Sequence, residues 1–148
     1  LVPGISRLDY KGKFWPDNIE NTIDKETCEW LSNVLNLVPL QPRPEGYNPI
    51  LEKNLDLVLI KRLGESGRVC FDAIQKKDVK LLGESMKETF MCWSEMLPYT
   101  VPGWVMDEMK TNYFSRYSGA ITSGSGGGYV VFPSECQLEG ALKIKVRY

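Results

Sequence analysis

Between Asp56 and Pro98 the apolar residues recur at three- and four-residue steps, break once at Asp78, and then resume. That spacing predicts two amphipathic helices. The first carries Leu59, Ile60, Leu63, Val69, Cys70, Phe71 and Ile74, and runs to about Lys77. The second starts behind Asp78 as its N-cap, carries Leu82, Met86, Phe90, Trp93 and Leu97, and stops at Pro98. With so short a connector the two must fold back as an antiparallel hairpin. Gly64 and Gly67 lie inside the first helix, where each costs roughly 1 kcal/mol against alanine. Their presence suggests that another backbone approaches closely. A third helix is expected over "VPGWVMDEMKTNYF", with Pro102 near its first turn and Trp104, Val105 and Met109 facing inward.

After this helix the period changes. "SGAITS" and "YVVF" are β-like, and "ALKIKVRY" alternates, with Leu142, Ile144 and Val146 on one side. "PSECQLEGA" fits a short helix capped by Ser134 and ended by Gly140. Upstream, "GISRLDY" reads as a strand with Ile5, Leu8 and Tyr10 on its buried side, and "KGKFWPDN" as a turn. "DKETCEWLSNV" reads as a helix capped by Asp24. "VLNLVPL" reads as a buried strand, with Pro39 suggesting an edge or a bulge. "QPRPEGYNP" is an ordered connection stiffened by three prolines. The expected architecture is α+β: a helical hairpin plus a third helix packed on a small antiparallel sheet.

Composition removes several functions. A net charge of -1 without a dense Lys/Arg block argues against a nucleic-acid surface. No apolar run approaches the length of a membrane span. The chain has no histidine, so histidine-based triads, proton shuttles and zinc fingers are excluded. Cys28, Cys70, Cys92 and Cys136 form no C-x-x-C pair and read as reduced core thiols of a cytoplasmic protein.

The stretch "AITSGSGGGYVVF" carries the chemistry. Its loop, Ser123, Gly124, Ser125, Gly126, Gly127 and Gly128, sits between two strands. One reading is a hairpin turn with more glycine than a turn demands. The other is a nest of backbone amides that approaches an anion such as phosphate. A dinucleotide-binding loop fits poorly, because such a loop opens a helix. Arg43 lies between prolines with Tyr47 close behind, which suits bidentate recognition of phosphate or carboxylate and suits a structural ion pair equally. Asp17, Glu20 and Asp24 read as turn and cap residues rather than metal ligands. "KGK" at Lys11 to Lys13 reads as an exposed hairpin tip, and Glu65 with Arg68 as an exposed pair on the first helix.

The glycine stretch resembles the third motif of the GHMP kinases, the superfamily of galactokinase, homoserine kinase and mevalonate kinase. The order "VLNLVPLQPR", helical hairpin, third helix, "SGSGGG" is similar to the sugar-kinase branch with fucokinases and heptose-phosphate kinases. Tyr129 stands where the family often has a fourth glycine. The family's "PGR" motif, its "GxGSSA" ATP loop and its catalytic Asp have no counterpart in this sequence, although "VPGIS" mimics the first.

The resemblance therefore implies the C-terminal portion of an ATP-dependent small-molecule kinase acting on a sugar. Residues 1-32 would be a remnant of the preceding N-terminal domain, and residues 33-148 a ferredoxin-like C-terminal domain. Residues 123–128 would supply the glycine-loop wall, with Arg43 and Tyr47 as possible substrate contacts. No catalytic residue and no metal ligand is assigned. ATP and Mg²⁺ would belong to the full-length context, and the chain alone would be inactive. The partner would be the missing half or a second copy, a dimer covering segments with Trp15 and Trp30. The alternative is a non-catalytic small-ligand-binding or oligomerisation module.

Overall fold

The computed structural model describes residues 3–136 and 138–148. The chain begins with a two-stranded hairpin, β1 (Ile5–Asp9) antiparallel to β2 (Asn18–Thr22). Then come α1 (Lys25–Val34), β3 (Leu35–Pro39), the helical pair α2 (Leu57–Lys76) and α3 (Val79–Met96), and a 3₁₀ turn at Pro98–Thr100. Helix α4 (Gly103–Glu108) continues as a π-turn over Met109–Phe114. Strands β4 (Ile121–Ser123), β5 (Tyr129–Pro133) and β6 (Leu142–Lys143) follow. The second sheet has the order β4-β5-β3-β6, with every neighbouring pair antiparallel. The fold is α+β, as the period changes in the sequence require.

The helix boundaries follow from side-chain caps. The Asp56 carboxylate accepts from Val58 N (2.6 Å), Asp78 from Leu81 N (2.9 Å) and Asp24 from Thr27 N (2.8 Å). Lys77 takes a left-handed conformation (φ 55°) at the end of α2, and the Asp78 amide closes that helix on the Ala73 carbonyl (2.9 Å). Lys77 Nζ also reaches Glu26 of α1 (2.6 Å).

Two apolar clusters hold the layers together. Phe90, Val101, Val105, Met109, Tyr113, Val130 and Phe132 join α3, α4, the π-turn and β5. Leu31, Val34, Leu35, Ala73, Ile74 and Leu82 join α1 and β3 to the helical pair. The boundary expected between residues 32 and 33 falls inside α1, whose Leu31 and Val34 both belong to the second cluster. Among the described residues, no helix is long and apolar enough to cross a membrane.

Several expectations are corrected. In β1 the inward set is Ile5, Arg7 and Asp9, while Leu8 and Tyr10 are exposed. Strand side chains alternate, so residues 5 and 8 cannot share a face. Arg7 instead lays its guanidinium over the Phe71 ring, 5.4 Å from the centroid. β2 has no hydrophobic alternation and was not expected; its register places Ile19 opposite Leu8. β3 is an inner strand. Pro39 is tolerated because Leu40 N donates to Gly128 O on the β5 side, which turns Pro39 N towards β6, and β6 pairs only with Asn36 and Leu37.

Gly64 and Gly67 have open space where a Cβ would stand, so no backbone approaches them. The close approach is elsewhere, between Gly83 of α3 and the Ser118-Gly119 turn. No helix forms among the described residues of 134–140, Gln137 lying outside them. Ser134 Oγ accepts from Cys136 N (3.1 Å) and closes a turn. β6 is only two residues long, with Leu142 exposed. Ile144 and Val146 do pack inward, beside α1. The four cysteines are free thiols, but Cys136 is exposed rather than in the core.

Candidate functional site

The glycine loop is the tip of the β4–β5 hairpin. Ser123 closes the ladder opposite Tyr129. Gly124, Gly126, Gly127 and Gly128 all have positive φ (99°, 72°, 129° and 96°), a run that side-chain-bearing residues rarely adopt. This is more left-handed backbone than a two-residue turn needs.

The loop is anchored by its own backbone. Gly126 N donates to Thr100 O (2.8 Å), and Gly128 N donates to Gln41 O (3.2 Å). Leu40 N returns a bond to Gly128 O (2.7 Å). The amides of Gly124, Ser125 and Gly127 have no acceptor among the described residues. The loop is therefore a braced turn that leaves three donors unengaged, Gly124 exposed, Ser125 half-buried and Gly127 buried, between the two readings its sequence allows.

Two glycines are required by close approach. A Cβ on Gly127 would stand 2.7 Å from the Gln41 carbonyl oxygen and 3.3 Å from the Trp104 ring. A Cβ on Gly126 would run into the Tyr47 ring. Tyr47 thus acts beneath the loop, and its hydroxyl is engaged by the Tyr99 carbonyl (2.6 Å). Arg43 is beside the loop: a Cβ on Gly124 would be 3.7 Å from a guanidinium nitrogen. Arg43 is exposed and has no ion-pair partner among the described residues. The rigid "QPRPEGY" connection thus brings a free cation and a bracing ring to one glycine turn.

Beside the loop opens a cavity of about 420 Å³. Its walls include Ile50, Phe90, Trp93, Leu97, Val101 and Ile121, and the loop contributes Gly124 and Ser125 to its rim. Trp93 and Trp104 were expected to face the core; both are instead more than a third exposed, Trp93 at the cavity and Trp104 against Gly127. Thr100 and Gln41 were not expected at the site at all. They act through main-chain carbonyls, which leave no mark in a residue pattern.

The other charged candidates have structural duties. Asp17 accepts from Lys11 N (2.7 Å) and pairs with Lys13 (3.3 Å) at the hairpin tip. Glu20 pairs with Arg7 (3.1 Å), and Asp24 caps α1. Glu65 and Arg68 pair on the exposed face of α2. Burial pushes the Cys28, Cys70 and Cys92 thiols upward, so they stay protonated and unsuited to nucleophilic work.

The open amides and Arg43 fit an anionic oxygen of the kind a phosphate carries. The loop and the cavity wall carry no carboxylate, so Mg²⁺ has no fitting ligands here. No protein-family model, curated protein or solved structure matches the chain.

Proposed function

We propose that the Ser123–Gly128 turn and Arg43 form an anion-binding wall, and that the chain serves as the glycine-loop portion of an ATP-dependent small-molecule kinase of the GHMP type. The carrying observation is the pair of unengaged amides on Gly124 and Ser125 beside the Arg43 guanidinium, which has no ion-pair partner among the described residues. A braced glycine turn with a cation beside it stabilises developing negative charge, which is what phosphoryl transfer asks of such a wall. The order of elements supports the same reading: inner strand, proline-rich connection with Arg43, helical pair, third helix, glycine hairpin. ATP, Mg²⁺ and the group that positions the acceptor hydroxyl belong, in this proposal, to a partner segment or chain. A sugar acceptor, held by the partner segment outside the apolar cavity, and a ferredoxin-like relationship of the sheet are part of the same proposal.

A second reading is a non-catalytic small-ligand module. It is favoured by the two loop amides tied to Thr100 and Gln41, which make the turn a stable structure in its own right.

Titration of the 148-residue chain with inorganic phosphate, followed by amide chemical shifts, tests the anion wall. Saturable shifts at Gly124 and Ser125 that weaken in Arg43→Ala are expected. Absence of saturation at those amides overturns the proposal. Under the kinase reading the chain alone turns over no ATP with any small-molecule acceptor.

A further inference from the structure

The cavity and the open amides share a rim. Gly124 and Ser125 belong to the loop that offers the amides and also to the lining of the 420 Å³ space. Arg43 stands on the same glycine. Behind that rim the walls are apolar: Ile50, Phe90, Trp93, Leu97, Val101 and Ile121. Of the two threonines at the wall, Thr100 has its hydroxyl engaged, since Oγ1 donates to Leu97 O (2.6 Å). Thr122 lies in β4 next to the glycine loop, so the remaining polar side chains gather at the rim. Such a wall offers a bare hexose few partners for its hydroxyl groups, and each hydroxyl buried there unpaired opposes binding. It suits instead a flat apolar ring, which gains by leaving water and by contact with the Phe90 and Trp93 rings. The volume is within the range of small-ligand pockets.

We infer that the site takes a ligand whose anionic group is joined directly to a planar aromatic ring, the anion against the Gly124–Ser125 rim and Arg43 and the ring in the cavity. This rests on the reading of the loop as an anion wall. An aryl phosphate or aryl carboxylate carries this chemistry; a nucleotide does not, because its ribose separates the phosphate from the ring.

The test compares three probes on the full 148-residue chain by Trp fluorescence and amide shifts: inorganic phosphate, phenyl phosphate and AMP. Phenyl phosphate binding at least about tenfold tighter than inorganic phosphate, and tighter than AMP, is expected, because a ring joined directly to the anion adds apolar contact that phosphate lacks. AMP binding tighter than phenyl phosphate overturns the direct attachment of ring to anion. Ile121→Phe, which fills the cavity, should erase that preference and leave inorganic phosphate binding in place. Leu97→Phe is the second filling variant, and retained phosphate binding reports that each variant is folded. Arg43→Ala should weaken all three probes by a similar factor. Equal affinity for the three probes, with phosphate still bound at the loop, overturns this inference and leaves the anion wall standing. Failure of all three to bind overturns both.

Discussion

The Tyr47 hydroxyl donates to the Tyr99 carbonyl at 2.6 Å, 52 residues away in the chain, and the Tyr47 ring lies under Gly126. One side chain thus ties the proline-rich connection, the turn after α3 and the glycine hairpin together. Removing only the hydroxyl, in Tyr47→Phe, leaves the ring and orphans one carbonyl; a loss of about 1 kcal/mol in denaturant unfolding is expected. Tyr47→Ala removes the brace. Phosphate binding should fall severalfold in Tyr47→Ala and stay near parental in Tyr47→Phe. Equal loss in both would mean that the hydroxyl touches the ligand.

Gly127→Val separates less cleanly than a bare turn would allow. Its Cβ would meet the Gln41 carbonyl at 2.7 Å, at a φ of 129°. Both effects act on the fold, so a loss exceeding about 2 kcal/mol is expected, together with lost anion binding. Gly124→Ala is the milder probe, because its Cβ meets only Arg43, at 3.7 Å. Its strain is backbone alone, about 1 kcal/mol or somewhat more. Thermal unfolding and phosphate titration of the two variants side by side check the order.

What was legible in the sequence is what local chemistry dictates. Asp24 and Asp78 cap α1 and α3 as their positions require, and the run from Tyr129 to Phe132 forms a strand. What was not legible depends on distant partners. β2 reads "NIENT" and is a strand only because β1 pairs with it. Pro39 marks an inner strand because β6 is short, which no feature near Pro39 reveals. At the site, the glycines announced unusual backbone, but Thr100 and Gln41 contribute carbonyls that every residue possesses. Trp93 and Trp104 matched helical stripes, yet both stand partly exposed, one at the cavity and one against the glycine loop.

Acid sensitivity should be partly traceable to one cap. The Asp24 carboxyl is held below its ordinary value of 3.8, first by the hydrogen bond from the Thr27 backbone, then by the Thr27 side chain, with Lys77 adding to both. A carboxyl depressed in the folded state contributes stability above its unfolded value and loses it as pH falls through the folded value. The contribution is therefore intact at neutral pH and fades below about pH 4. Asp24→Asn keeps an acceptor for Thr27 and cannot titrate. The stability difference between parent and Asp24→Asn should shrink from pH 6 to pH 3. A difference independent of pH would assign the acid response elsewhere, Asp9 and Glu65 being the other depressed carboxyls.

The glycines of the helical pair should respond in opposite directions. Gly64 and Gly67 have ordinary helical backbone in α2 and nothing within 4 Å of a new Cβ. Alanine there reduces the freedom of the unfolded chain and strengthens the helix, so each of Gly64→Ala and Gly67→Ala should raise stability by about 0.5–1 kcal/mol. Gly83 looks equivalent in sequence, also inside a helix. Its Cβ would press on Ser118 Oγ and come 2.8 Å from Gly119 N, while a Cβ on Gly119 would press on the Gly83 carbonyl. Both contacts involve backbone, so neither is relieved by turning a side chain. Gly83→Ala and Gly119→Ala should each cost about 1–3 kcal/mol by overpacking. The Ser118-Gly119 turn leads into Ala120 and β4, the strand that carries the glycine loop. The two destabilised variants should therefore also weaken phosphate binding, whereas the two stabilised ones, remote from the loop, should leave it unchanged. Urea unfolding and phosphate titration of the four variants together decide it, and a gain in stability for Gly83→Ala would mean that α3 and this turn are not in contact in solution.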